Sequence, residues 1–168
     1  MSREVIKMSK IVNFIRILIF IPYIALFASD VDFDIDKSVV DANKTSKYLM
    51  LFLHKDNCGY CERMSFNLDR KNILEAIKKD FLLLDINRDD EEVVTYQDFN
   101  GSNREFMKAL KIDFYPTILF IDSNSDKIIY AISGYRDSDK LLVLLKYISS
   151  KAYKRVDLEG FKDELFFK

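Results

Sequence analysis

The sequence predicts an α/β fold, with a mixed central sheet and helices on both faces. Three observations predict it. Apolar runs of strand length at 48–53 and 81–86 alternate with stretches of helical patterning, the order that produces parallel strands joined by right-handed crossovers. Two further runs, 117–122 and 127–133, flank the turn residues Ser123-Asn124-Ser125-Asp126 and read as an antiparallel hairpin. A segment at 137–153 then places Leu141, Leu144, Leu145 and Ile148 on one face, as a helix closing over a sheet would.

The elements follow in order. Residues 30–47 are polar and charged, with a short helix expected at 39–45. The run Tyr48-Leu49-Met50-Leu51-Phe52-Leu53 is apolar throughout and bounded by polar residues, the mark of a buried strand. Residues 58–79 read as helical with a break near 67–69, and Asp69 is the expected N-cap of the second segment. Ile73, Leu74 and Ile77 share a face there. A second buried strand spans 81–86. Residues 87–103 form a polar insertion with a small hairpin expected at 93–99. Its acids Asp89, Asp90, Glu91 and Glu92 read as a solvated loop rather than a calcium site. A short helix at 104–110 precedes the hairpin, which Gly134 closes. The tail carries Leu158, Phe161, Leu165, Phe166 and Phe167, enough apolar surface to suggest docking, or else an interaction surface.

Composition excludes several classes. The chain has 168 residues, 49% hydrophobic and 32% charged, the balance of a globular protein. Four Gly and two Pro exclude collagen-like and low-complexity chains. A net charge of −1 lacks the basic excess of a nucleic-acid binder. Two cysteines, Cys58 and Cys61, cannot build a disulfide scaffold, a four-cysteine zinc site or a four-cysteine iron–sulfur site.

The N-terminus reads as a leader. Arg3, Lys7 and Lys10 precede an apolar run broken by Arg16, leaving residues 17–28 as its clean core. That length fits a secretory apolar region and is short of the roughly 20 residues a membrane-spanning helix needs. Asp30, Asp32, Asp34 and Asp36 make an acidic exit. Residues 1–28 are therefore expected to be a signal peptide or an N-terminal anchor, although Leu26, two positions before Ala28, is larger than a cleavage site after Ala28 prefers. Met8 is an alternative start that leaves a shorter leader of the same kind. The leader carries a net +3, so the exported remainder carries −4. The organisation expected is a leader at 1–28, a polar segment at 29–47, a main domain at 48–154 with an inserted loop at 87–103, and a tail at 155–168.

Chemistry concentrates in Cys58-Gly59-Tyr60-Cys61, directly after a buried strand and at the start of a helix. A cysteine at a helix N-terminus meets unpaired N–H groups and the positive end of the helix dipole. Both favour the thiolate. A second cysteine one turn later is close enough to form a disulfide with the first, which supplies a nucleophile and a resolving thiol. The alternatives are weaker. A haem attachment motif needs His at 62, which is Glu. A zinc ribbon needs a second cysteine pair. Cys58, Cys61 and His54 with a carboxylate would make an improvised metal site. A purely structural disulfide over so short a loop adds little stability.

Here the chain resembles the thioredoxin superfamily, through residues 49–54, Cys58-Gly59-Tyr60-Cys61, and Tyr115-Pro116-Thr117 opening the strand at 118–122. The resemblance implies a thioredoxin fold and a cis-proline loop at Pro116 that lies beside the cysteines and pairs with the substrate backbone. Without it, Pro116 reads as a strand-start proline. The leader, the 87–103 insertion and the Gly134-Tyr135 step resemble exported thioredoxin-related proteins of the SoxW type. The Gly-Tyr pair resembles the motif of DsbC-type isomerases, a likeness confined to that motif. Two positions depart from the superfamily. Phe52 stands where thioredoxins carry a buried Asp that helps the resolving thiol lose its proton. Tyr115 stands before the proline where an aliphatic or Thr is usual, which puts the direction of electron flow in question.

The resemblance makes Cys58 and Cys61 catalytic, and Gly59, Tyr60, Tyr115, Pro116 and Thr117 substrate-binding. His54, Lys55 and Glu62 are candidate tuning residues; the plainer readings are a strand-end histidine, a solvated lysine and a first-turn acid. The function expected is a periplasmic thiol–disulfide oxidoreductase that reduces or isomerises protein disulfides, with no cofactor or metal. Its expected partners are disulfide-bearing proteins and a membrane electron donor, with no nucleic acid. The alternatives are a redox-inactive binding or chaperone module, motivated by Phe52 and the apolar tail, and a dedicated thiol donor for cytochrome or sulfur-oxidation protein assembly.

Overall fold

A computed structural model describes residues 33–166; the leader expected at 1–28, the residues up to 32, and Phe167 lie outside the described residues. In chain order the elements are β1 (Phe33–Asp34), α1 (Ile35–Lys44), β2 (Tyr48–His54), α2 (Gly59–Leu68), α3 (Lys71–Asp80), β3 (Phe81–Asn87), β4 (Val93–Tyr96), β5 (Phe99–Ser102) and α4 (Asn103–Ala109). Then come β6 (Thr117–Asp122), β7 (Lys127–Ser133), α5 (Ser138–Ser149), a 3-10 turn (Ala152–Lys154) and α6 (Leu158–Phe166).

Four strands form the central sheet in the order β3-β2-β6-β7. Strand β2 pairs parallel with β3 and antiparallel with β6, and β6 pairs antiparallel with β7. Successive side chains of a strand point to opposite faces, and β2 is apolar on both. Met50 and Phe52 join Ile118, Phe120 and the inward residues of α2, α3, α5 and α6 in one core. Leu49, Leu51 and Leu53 join Ile86, Leu119, Ile121 and the inward residues of α1, α4 and β4 in the other. Each fully buried large apolar side chain contributes roughly 1.5–3 kcal/mol, so β2 anchors two cores at once.

Several elements differ from the sequence expectation. Helix α1 begins at Ile35, not near 39, because Asp34 caps it by accepting the Lys37 N–H at 2.8 Å. The segment that looked merely polar thus buries Ile35, Val39 and Ala42. Asp69 is not an N-cap. Its N–H still donates to Ser65 O at 3.2 Å, which ends α2, and Arg70 opens α3 without a side-chain cap. The hairpin in the insertion runs to Ser102 and pairs with β1 as a separate sheet of order β1-β4-β5. The Gln97 N–H at its turn donates to the Asp36 carboxylate at 2.9 and 3.0 Å, tying the insertion to α1. Helix α5 stops at Ser149 rather than at 153, because Lys151 takes a left-handed conformation (φ 60°) and turns the chain back.

That reversal brings the tail onto the first core. Tyr147 donates its hydroxyl to Val156 O at 2.8 Å, and Phe161 is buried with its ring 5.5 Å from that of Tyr147. Phe161→Ala is expected to cost about 3 kcal/mol or more. Urea unfolding checks this, as a lowered midpoint with an unchanged slope.

Candidate redox site

The site sits where three chain segments reach one end of the central sheet. Parallel pairing puts His54 of β2 opposite Asn87 of β3. Antiparallel pairing puts the first residue of β6, Thr117, opposite Leu53. The loop to Cys58, the loop after β3 and the turn at Pro116 therefore share one edge. Ligand sites of open α/β sheets form at the ends of the parallel strands for this reason.

Cys58 is the N-cap of α2. Its extended backbone lets Cys58 O accept the N–H groups of Cys61 (2.8 Å) and Glu62 (3.1 Å), while its Sγ accepts the Cys61 N–H at 3.2 Å. Cys58 and Cys61 form a disulfide, with Cα atoms 5.2 Å apart. The two sulfurs are unequal: Cys58 is partly exposed, whereas Cys61 is 3% exposed. Gly59 and Tyr60 point outward. A Cβ at Gly59 would meet nothing within 4 Å, and Tyr60 is 61% exposed. The Tyr60 ring lies 6.1 Å from that of Tyr135, with the Arg63 guanidinium 6.0 Å from its centre.

The Tyr115–Pro116 peptide is cis. Pro116 O accepts the Gly134 N–H at 2.7 Å. Gly134 adopts φ +87°, which side chains rarely tolerate, so glycine is needed at that step. Thr117 is fully buried, and its hydroxyl contacts Phe114 O at 2.7 Å and Ser133 Oγ at 2.8 Å. Tyr115 donates to Ile112 O at 3.2 Å and lies under the Arg88 guanidinium, 5.5 Å from its ring centre. Burial raises the Tyr115 hydroxyl above its ordinary value, against the opposing Arg88 charge.

The acids after β3 are not a merely solvated loop. Asp89 is only 14% exposed in its side chain and pairs with Arg88 at 2.9 Å and Arg104 at 2.5 Å. It also accepts the Asp56 N–H at 3.1 Å. Asn87 Nδ2 donates to Asp56 Oδ1 at 2.9 Å and to Asp90 Oδ1 at 3.0 Å. Burial alone would raise the Asp89 carboxyl, but hydrogen bonds from Arg88 and the Asp56 backbone, with the charges of both arginines, hold it below the ordinary carboxylate range. One carboxylate thus fixes the loop before Cys58, and its partner Arg88 rests on the residue before Pro116. Asn67 does similar work on the other side. It is buried in α2 and donates to Tyr135 Oη at 3.0 Å and Arg136 O at 3.2 Å.

Of the three tuning candidates, His54, Lys55 and Glu62 all line one cleft with Cys61. His54 Nε2 donates to Asp85 Oδ1 at 2.7 Å, and its ring stacks on Phe52 with centroids 5.2 Å apart. The Asp85 hydrogen bond raises His54 above its ordinary 6.5 against the opposing desolvation, and the charges of Asp85, Asp90 and Asp56 add to it. Among the described residues, no group of three or more His, Cys, Asp and Glu converges as a metal site.

Asp113 and Phe114 gave no sequence signal of their own, yet Phe114 is 74% exposed beside the Pro116 turn. An aromatic that close to an X-Pro-Thr step was the available clue. Arg88, Asp89 and Asn67 were also missed, since their partners lie far along the chain.

A mixed sheet in this order, with a Cys-X-X-Cys disulfide where β2 hands over to a helix, defines a thiol–disulfide oxidoreductase of the thioredoxin fold. The chain belongs to the thioredoxin-like domain family, whose model matches residues 35–149. It is similar in structure to a thioredoxin-fold protein from Helicobacter pylori, at 27% identity over 71% of this chain and 80% of that one, with a TM-score of 0.60. A thioredoxin from Thermus thermophilus shares the fold at 16% identity, 69% and 84% coverage, and a TM-score of 0.56. No match is found among curated protein sequences.

His54 is the single histidine, so its titration is read from one NMR signal. It is expected above 6.5, and Asp85→Asn is expected to lower it. A raised folded value means that the pair's stabilisation is complete below the unfolded value and lost as pH rises through the folded one. The gap in urea midpoint between wild type and Asp85→Asn is therefore expected to shrink from about pH 5.5 to about pH 8.5.

Proposed function

We propose that this protein is an exported thiol–disulfide oxidoreductase of the SoxW type, working in the periplasm, that reduces or isomerises protein disulfides through Cys58 and Cys61. The observation that carries this reading is the inequality of the two sulfurs within one strand-to-helix turn. Cys58 is partly exposed and receives an N–H of the helix it caps, while Cys61 is buried behind it.

In the reduced protein the first turn of α2 favours the Cys58 thiolate. The thiolate attacks one sulfur of a substrate disulfide, and the other sulfur leaves as a thiolate. Cys61 then attacks the Cys58 sulfur of the mixed disulfide. The substrate leaves reduced by two electrons, and the Cys58–Cys61 disulfide forms. Gly59 and Tyr60 offer an open surface to the incoming chain, Phe114 adds an exposed aromatic, and the cis Tyr115–Pro116 turn reaches the same sheet edge with Thr117 buried beneath it.

Export is supported by the basic start, apolar middle and acidic exit of the first 36 residues. Among the described residues, no helix is long and apolar enough to cross a membrane, so membrane attachment would rest on the leader. The reducing or isomerising direction is supported by the Gly-Tyr pair, and it requires an electron donor; a membrane protein supplying cytoplasmic electrons fits an exported acceptor. A dedicated thiol donor for cytochrome or sulfur-oxidation protein assembly would use the same steps with a different partner.

Cys61→Ser is expected to accumulate mixed disulfides at Cys58 in cells, visible as reducible adducts on gels, and Cys58→Ala to form none. Wild type is expected to accelerate dithiol-dependent insulin reduction. No adduct with Cys61→Ser and no insulin reduction by wild type would together overturn the reading. The redox state of the pair in cells reports direction: mostly reduced supports a reductase or isomerase, and mostly oxidised contradicts it.

A further inference from the structure

Resolving a mixed disulfide needs a proton acceptor as well as a nucleophile. Once its disulfide is open, Cys61 carries a proton that must go before the sulfur attacks, and Cys61 is buried. Phe52 lies on the same face of β2 as His54 and offers no acceptor. The one opening described beside Cys61 is a cleft of about 410 Å³ walled by His54, Lys55, Asp56, Asn57, Glu62 and Ser65, roomy enough for water. Lys55 is a donor, the Asp56 carboxyl already accepts from Asn87, and Glu62 is exposed.

His54 is held differently from these neighbours. Its Nε2–H donates to Asp85 Oδ1 at 2.7 Å, and Phe52 fixes the ring plane. With Nε2 protonated, Nδ1 of the neutral ring is an acceptor. A carboxylate behind a histidine sets its tautomer and stabilises the imidazolium that forms when it takes a proton.

We infer that His54 is the proton acceptor for the Cys61 thiol, acting through water in this cleft, and that Asp85 is its positioning residue. The inference rests on the redox reading above. The Cys61 S–H proton passes to His54 Nδ1, and the Cys61 thiolate then bonds to the Cys58 sulfur. The bond from Cys58 to the substrate sulfur breaks, and the substrate thiolate leaves with the electron pair and takes up the proton. The charged groups around the imidazole are Asp85 from β3, Asp56 and Asp90 from the two loops, and Lys55 and Glu62 along the cleft. The acids raise His54 above 6.5, which brings its base strength toward neutral pH, where a general base works best.

Stopped-flow mixing of the full reduced chain with a fluorescence-quenched peptide disulfide separates the steps. Attack by Cys58 depends on peptide concentration, and resolution by Cys61 does not. In wild type the resolution rate is expected to rise with pH through the His54 titration. His54→Gln is expected to slow resolution at neutral pH at least about tenfold and to abolish that limb, with Cys58 attack changed less than about twofold. Asp85→Asn, at an exposed position, is expected to keep the limb and move it to lower pH. Normal Cys58 attack with unchanged resolution in His54→Gln would overturn this inference alone. So would equal slowing of both steps, which marks a structural role. Should His54→Gln fail to fold, an unmoved limb in Asp85→Asn overturns it. Absence of Cys58 attack in wild type would overturn the redox reading and this inference with it.

Discussion

The burial of β2 on both faces is the constraint on which the rest depends. Each of its interior residues is at most 1% exposed, so the strand cannot slip by one residue without exchanging two complete apolar sets. A fixed register has consequences at the strand's C-terminal end. The chain must leave the sheet at His54, and the next helix must start on the side occupied by Met64 and Leu68. Cys58 is therefore delivered to a helix N-terminus by packing that lies entirely behind it. The same register brings the start of β6 and the end of β3 to that edge.

Packing delivers the segments, and polar contacts then hold them. A loop carries few buried apolar contacts, so its position depends on hydrogen bonds and ion pairs. Asp89 serves this purpose because it is shielded and faces two arginines at once. A single exposed pair would contribute at most about 1 kcal/mol, but a carboxylate bound by two guanidiniums and a backbone N–H has lost much of its freedom already. On the other flank, Asn67 joins the cysteine helix to the turn around Gly134, whose N–H is spent on Pro116 O. The cysteine turn and the proline turn are thus tied to the sheet by separate contacts.

The strands and the cysteine motif were legible in the sequence because their signals are local. An unbroken apolar run such as 48–53 announces a buried strand, and Cys58 and Cys61 announce themselves by spacing. The Ser123–Asp126 turn was equally plain. Asp69 misled because a helix break offers two positions for a cap, and only backbone angles distinguish the end of α2 from the start of α3. Asp89 misled because four adjacent acids look solvated until Arg104, fifteen residues on, and Asp56, thirty-three residues back, are placed beside them. The pairing of β1 with β4 spans about sixty residues, and two residues carry no periodicity. His54 was visible as a lone histidine, but its partner was hidden, since Asp85 meets it only through the β2–β3 register.

Phe52 and His54 divide two tasks between them on one face of β2. A carboxylate at 52 would lie among Met64, Ile118 and Phe120 and would require its own partner to remain charged there. The apolar ring instead completes the core, and the titratable group stands two residues further along the same face, at the rim. At that point the neighbouring strand can supply Asp85 and the cleft can admit water. The arrangement separates two demands that one buried acid would have to meet together: filling space under the helix and handling a proton. It also makes the proton-handling group a histidine, whose charge changes in the range where thiols and disulfides exchange, rather than a carboxylate that burial must push into that range.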